Sequence, residues 1–482
     1  MKTALPLKAS LHTLRRRSGV DRAVGFAILS RGWGALSGVV TLALLVRFLT
    51  QDQQGFYTVF GNFMGIQVFF ELGLGLVLLQ FASHERAALE WSPRGTLEGD
   101  PVAKARLSSL LRRALFWYGA IALLLLLTVY PVGLLYFHKY KRVSEHVAWQ
   151  GPWLFFAVTV AAGVLFTPLW AVLEGCGLVA EVVSAQFVGA VLYNLLFWLM
   201  LLRHLGLYAM PIGGLAGAAW VVGWLWFRQR AFLRDLLRAW DPDHVVSWRH
   251  EMWPFQWKIG LSWMSGYFIY QTFTLFLFAS HGAAETGRMG LSLSIAASLG
   301  AISIAWVSTK AAPFGSLVAR RDWARMDRMF FPSLWLSTAT LIVCDGAFWL
   351  LTFYLNHHHI GSRLSARLLP PLPLGLLLAA MVVNHVVGAQ GIYLRAHKQE
   401  PFLLISLLGG SLVCLSSSTL GRVWGATGMM AGNLAISFLG LGLGTATFRQ
   451  KRRLWHDDPD APPPGLTLPE AAGPPAPEAA SR

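Results

Sequence analysis

Six ionisable side chains stand in stretches of sequence that are otherwise almost entirely apolar: Arg31, Glu71, Lys258, Arg288, Asp345 and His385. A charge at the centre of a membrane helix costs roughly 2.5–3.5 kcal/mol on insertion scales, so such residues mark an ion path, a substrate site or a buried ion pair. Arg31 lies eight residues into the first apolar run, and Glu71 ten residues before Phe81 at the end of the second. At 1.5 Å per residue those positions are about 12 and 15 Å deep. The matching depths predict an Arg31–Glu71 ion pair, with Arg31 turned to a cavity and Glu71 orienting it, or serving only to make both tolerable. Lys258 and Arg288 fall at span ends, where a long cation either snorkels to the headgroups or serves a gate. Asp345 and His385 are both at mid-depth, in consecutive spans. Paired, they would exchange protons near physiological pH or form a plain buried contact. Cations outnumber acids in the spans, which suits an anionic substrate.

Other polar groups carry less. The His357–His359 tract has no acid or cysteine near it and reads as a solvated loop rather than a metal site. His84–Glu85 has neither a second acid nor a nucleophile and reads as a helix end or a gate. Cys176, Cys344 and Cys414 have no metal or disulfide spacing. No catalytic residue, metal or cofactor is expected, and a transporter is favoured over an enzyme. A glycosyltransferase or polymerase would need acids, Arg or His on a sizeable outer loop. The first outer turn, 47–54, offers only Asp52.

The elements that hold these residues follow from composition. The chain has 482 residues, 55% hydrophobic and 13% charged, with mean hydropathy +0.50. Soluble domains carry about 25% charged residues. Recurrent apolar runs without strand alternation predict an all-α polytopic membrane protein. Twelve spans are expected: 23–46, 55–81, 114–135, 152–173, 182–202, 207–227, 254–279, 286–308, 333–354, 372–394, 401–419 and 424–447. They divide the chain into a basic N-terminus (1–22), a six-helix bundle (23–227), a linker (228–253), a second six-helix bundle (254–448) and a tail (449–482). The tail is rich in Pro and Ala and is expected to be disordered. The first helix is expected to be uncleaved.

The net charge of +16 is distributed by loop rather than gathered into a nucleic-acid surface. Arg15–Arg17, the 82–113 loop, 228–253, the 310–328 segment and the tail hold most of it, which predicts both termini on the cytoplasmic side. The segment "ARLSSLLRRALFW" reads as an amphipathic helix lying on that surface. Trp117, Tyr118, Trp149 and Trp153 lie at span ends and read as interfacial belts. Asn194 and Gln271 read as interhelical hydrogen-bond formers. The two halves also resemble one another. "TQDQQGFYTVFGNFMG" after the first span matches "HGAAETGRMGLSLSIA" after the seventh, aligning Gly55 with Gly287, and "GLAGAAWVVG" matches "VWGATGMMAG". Parallel repeats of this kind are typical of transporters.

The stretch "RFLTQDQQGFYTVFGNFMGIQVFFELGLGLVLLQFASHE", Arg47 to Glu85, resembles the second-helix region of bacterial polysaccharide (O-antigen type) flippases. These belong to the multidrug/oligosaccharidyl-lipid/polysaccharide exporter (MOP) superfamily. The rest of the chain matches more loosely, through its twelve spans and six-plus-six layout. The resemblance implies two bundles around a central, alternately opened cavity in the bacterial inner membrane. It implies as substrate an undecaprenyl-pyrophosphate-linked oligosaccharide for cell-surface polysaccharide, moved to the outer leaflet. Candidate partners are then the lipid-linked glycan, the bilayer and other polysaccharide-assembly membrane proteins. On this reading Arg31, Glu71, Lys258 and Arg288 belong to the cavity, and Asp345 and His385 to energy coupling. A drug or ion antiporter of the same superfamily is the alternative; it would need acids in the N-terminal bundle, where Glu71 is the only deep one.

Overall fold

The computed structural model describes residues 22–141, 146–253, 256–257, 260–261, 272–358, 362–397 and 401–456. The basic segment before Arg22, Lys258, Gln271, His359 and the tail beyond His456 lie outside them. The described residues are helical apart from turns, connecting segments and one short hairpin of β1 (Leu89–Trp91) and β2 (Leu97–Gly99). Among the described residues nine helices are long and apolar enough to cross a membrane, ten when a bent pair counts as one span. By contacts the chain falls into two compact units, one running to Leu291 with Arg363–Leu369, the other Ser292–Ser362 with Pro370 onward.

In the first unit, α1 (Arg22–Phe48) ends before a reciprocal cap that starts α2 (Gln51–Met64). Thr50 Oγ1 accepts from the Gln53 amide at 3.1 Å, while Gln53 Oε1 accepts from the Thr50 amide at 3.0 Å. The second span does not continue as one rod. It passes through α3 (Gln67–Glu71), breaks at Leu72 and Gly73, and resumes as α4 (Leu74–Arg86), bent by 47°. Leu72 (φ 49°) and Gly73 (φ 68°) are both left-handed, which glycine adopts freely and leucine does not.

Asp100 caps α5 (Pro101–Leu124), which runs through a wider π turn at Leu125–Val129 into α6 (Tyr130–Tyr140). Pro131 explains the π turn, because its ring cannot donate to the preceding turn and the helix must widen. The "ARLSSLLRRALFW" segment is therefore no separate surface helix. Nothing between Val102 and Tyr118 breaks the backbone, and Leu107, Ser108, Leu110 and Leu111 are buried.

Then follow α7 (Gln150–Val164), α8 (Thr167–Gly175), α9 (Val179–Leu202), α10 (Ala209–Trp224) and α11 (Arg230–Arg238). The unit closes with α12 (Thr272–His281) and the first residues of α13 (Ala283–Ser308). Its core is aromatic: Phe56, Phe60, Phe63, Phe137, Trp149, Trp153 and Phe278 pack with ring centroids 5.0–6.3 Å apart. Trp149, Trp153 and Tyr118 are thus core rather than belt residues, since each is buried; Trp117 stays exposed. The indole proton of Trp153 is used up on the Tyr130 carbonyl at 3.1 Å. Asn194 spends its amide on Ala190 of its own helix, 2.9 Å away, rather than on a neighbour.

In the second unit, α14 (Ala311–Ala319) precedes α15 (Trp323–His357), capped by Asp322. After α16 (Ser362–Ser365) come α17 (Pro371–Arg395) and α18 (Leu403–His456). Met326, Phe330, Tyr393 and Phe448 form its core. Although continuous by hydrogen bonding, α18 folds back at Gly425 (φ 59°, ψ −143°). Gly428 abuts the Leu420 carbonyl, Gly432 abuts Ser416, and Gly421 abuts Met429. Residues eight apart are about 12 Å apart in a straight helix, so α18 is two antiparallel arms and holds the last two expected spans.

Candidate functional site

Glu71 sits at the end of α3, buried, where the second span breaks. Chain breaks inside a membrane helix free carbonyls at one stub and amides at the next, and transporters place polar sites at such points. The buried hydroxyl of Tyr118 is in electrostatic range of Glu71, and Gly260 presses on Leu72 so closely that a Cβ there would lie 2.9 Å from the Leu72 Cα. Among the described residues Glu71 has no ion-pair partner.

The expected Arg31–Glu71 pair does not form. The first helix packs along α9 instead of along the second span: Trp33 and Trp198 lie 5.8 Å apart, and Trp198 Nε1 donates to Thr41 Oγ1 at 2.8 Å. Matching depth in sequence gives two residues the same height but not the same azimuth. Arg31 is exposed on its unit and has no acidic partner among the described residues.

Arg288 opens α13 and is held there. It pairs with Glu285 at 3.2 Å, and its Nε donates to the Ala366 carbonyl at 3.0 Å. Arg367, a residue without a role in the sequence pattern, joins it. Its guanidinium donates to Gln54 Oε1 at 2.9 Å and to the Leu49 carbonyl, while Gln51 Nε2 donates to the Ala366 carbonyl at 3.1 Å. Gln54 in turn gives its amide proton to the Gly287 carbonyl at 2.8 Å. This clasp ties residues 363–369 and the start of α13 to the turn before α2. Gly55 and Gly287, the aligned pair of the internal repeat, meet here: a Cβ on Gly287 would lie 3.0 Å from the Gly55 nitrogen, and one on Gly55 would strike Ala283.

At the Glu85 end of the same unit a second polar cluster forms. Arg106 donates to Glu85 Oε1 at 2.8 Å and to Glu251 Oε2 at 2.6 Å. Burial pushes the Glu251 carboxyl up, but the Ser247 amide and the Arg106 guanidinium outweigh it and hold it below the usual carboxylate range. Glu85 is thereby a strut between helices rather than a cap.

In the second unit the Asp345–His385 pair is likewise not made. His385 Nε2 lies 2.6 Å from Ser337 Oγ, whose only proton goes to the Ser303 carbonyl at 2.7 Å. Nε2 must therefore carry the hydrogen and donate. The register of α15 against α17 puts His385 opposite Ser337, eight residues and about 12 Å short of Asp345. Asp345 is 4% exposed, and neither carboxylate oxygen has a hydrogen-bond partner among the described residues. It borders a cavity of about 280 Å³ that Trp349, Gly375 and Leu378 also line. Trp349 is fixed by its indole bond to the Pro371 carbonyl at 2.8 Å.

No protein-family model matches this sequence, and no curated protein matches it. Solved structures do. An inward-facing multidrug resistance MATE family transporter of the MOP superfamily superposes with TM-score 0.59 at 14% identity, covering 88% of this chain and 96% of that one. The lipid II flippase MurJ, in an inward closed conformation, gives TM-score 0.61 at 11% identity, covering 90% and 89%. A Vibrio cholerae MATE transporter gives 0.50 at 14% identity, covering 90% and 96%. The chain has the fold of MOP superfamily membrane transporters over nearly its whole length. Among the members of that superfamily the likeness spans both drug exporters and a lipid flippase.

Proposed function

We propose that the protein is a flippase that moves an undecaprenyl-pyrophosphate-linked oligosaccharide to the outer leaflet by alternating access. The observation that carries this reading is Arg31, an arginine inside the apolar first helix, α1 (Arg22–Phe48), exposed and without an acidic partner among the described residues. Guanidinium cannot be neutralised by deprotonation, so its face must be wet or meet an anion, and a pyrophosphate supplies a bidentate one. The fold shared with a lipid flippase and the Arg47–Glu85 resemblance support the same reading. Glu71 then shapes the broken helix beside the path, and Arg288 belongs to the clasp that holds the turn before α2. Lys258 is kept as a further cation for the phosphate. Asp345, buried and unpartnered, is the group proposed to couple transport to an ion; His385, bound to Ser337, positions α17 against α15.

The test is complementation. In a strain lacking the gene, loss of surface polysaccharide should be restored by the wild-type chain, weakly by Arg31→Lys and not by Arg31→Ala, with all three present in the membrane at equal level. Normal polysaccharide with increased drug sensitivity in the deletion strain would overturn the reading in favour of a drug exporter.

A further inference from the structure

The end of α10 and the whole of α11 form a basic, oil-floored pocket that the transport reading does not use. It is an open groove of about 580 Å³ with mostly apolar walls, flanked by Arg112, Arg230, Arg234 and Arg238 over a floor that includes Leu225 and Leu233. No acid lines it. The three arginines of α11 are spaced four apart, so they stand on one helical face. None has an acidic partner among the described residues, because Asp235, the one acid on that helix, is drawn away to Lys104 at 2.9 Å. Arg112 is fixed in place, donating to the Leu237 carbonyl at 3.2 and 2.5 Å and lying over the Trp240 ring. Its planar cation is therefore held without a counter-ion among the described residues.

The position of the pocket points to its occupant. The apolar stretch of α10 ends at Trp224, and Trp226 and Phe227 follow, 58% and 78% exposed, directly before the arginines. Large exposed rings beside a run of cations are the signature of the border between acyl chains and headgroups. A free phosphate would use the arginines and leave the apolar floor idle. We propose that this pocket binds an anionic phospholipid, its phosphate bridging the arginines of α11 and Arg112 and an acyl chain lying over Leu225, Leu233 and Trp226. The lipid would hold α11 against α5 at the membrane border.

Binding of fluorescently labelled phosphatidylglycerol to the purified full-length chain in neutral detergent, read by anisotropy, tests this. Cations near a membrane surface contribute about 1 kcal/mol each. Arg234→Ala with Arg238→Ala should therefore weaken binding roughly tenfold or more, while Arg94→Ala, on the β-hairpin turn, should leave it unchanged. Arg230→Gln, a single exposed change, should weaken it several-fold and serves if the double variant does not fold. Unlabelled phosphatidylglycerol should displace the probe, and phosphatidylcholine should not. Unchanged affinity in both variants, equal competition by phosphatidylcholine, or full displacement by millimolar inorganic phosphate would overturn the proposal. So would farnesyl pyrophosphate displacing the probe at lower concentration than phosphatidylglycerol, because the pocket would then select the substrate class rather than the bilayer.

Discussion

At the scale of single residues, the polar groups of this chain sort by what surrounds them rather than by how they look in sequence. His397 is an instance that the sequence reading passed over. It is fully buried, stacked between Trp455 at 4.2 Å and Trp323 at 5.6 Å, and its Nε2 has no partner among the described residues. Burial first, and the nearby His456, pull its pKa down to about 4, against a smaller upward pull from the Tyr393 carbonyl. The other charges around it are Asp327 and Arg452, which pair with each other, and Tyr393, which donates to Asp327 at 2.7 Å. Between about pH 6.5 and pH 4 the unfolded chain binds a proton here that the folded chain refuses, so stability should rise with pH across that window. Thermal melts in detergent should show the melting temperature falling as pH drops from 7 to 4. His397→Phe should flatten that slope while leaving the melting temperature near pH 7 within a few degrees. An unchanged slope would mean other groups carry it.

At the scale of elements, the apolar runs were readable because they are local and repeat through the chain, whereas helix lengths were not: Pro101–Tyr140 and Trp323–His357 run well past the expected 114–135 and 333–354. What was not readable depends on register and on partners far away in sequence. "FFELGLG" contained the glycines that permit a break, yet nothing in it says that Leu72 itself takes the left-handed turn. Arg367 meets Gln54 across 313 positions, which no spacing rule reaches. Asp345 and His385 shared a depth and missed by two helical turns, and Arg31 and Glu71 shared a depth and lay on different faces. Helix crossings give a sharper prediction. Gly55→Ala places a methyl into the Ala283 backbone, whereas Gly61, on the same helix, has nothing within 4 Å. Overpacking costs about 1–3 kcal/mol, and Gly→Ala at an open helical site is stabilising by about 0.4–1 kcal/mol. Gly55→Ala should lower the melting temperature by several degrees and Gly61→Ala should hold or raise it. Equal effects would show that the crossing is not tight.

At the scale of the whole molecule, the fold class and the count of spans follow from hydropathy, since backbone in lipid must be helical and of fixed length. Orientation rests on the uneven distribution of arginine. The twelve crossings expected from the sequence would put the two ends of the chain on one side. Reporter fusions after His456 and before Arg22 should both be active only as cytoplasmic reporters, and a fusion inserted after Thr50 only as an external one. A C-terminal reporter active outside would require an odd number of crossings and would reverse every inner and outer assignment in the second unit.

The reversal at Gly425 bears on how the protein is made. Its backbone angles lie where only glycine is comfortable, and the arms on either side touch through glycines with no loop between them. The final two crossings can insert as one closed pair joined by a turn of only a few residues. A methyl at Gly425 should therefore be felt during biogenesis. Gly425→Ala should reduce the amount of protein reaching the membrane several-fold, while the molecules that do arrive should, on the proposed function, each turn over at close to the wild-type rate. Normal abundance with slowed turnover would instead make this bend a moving part.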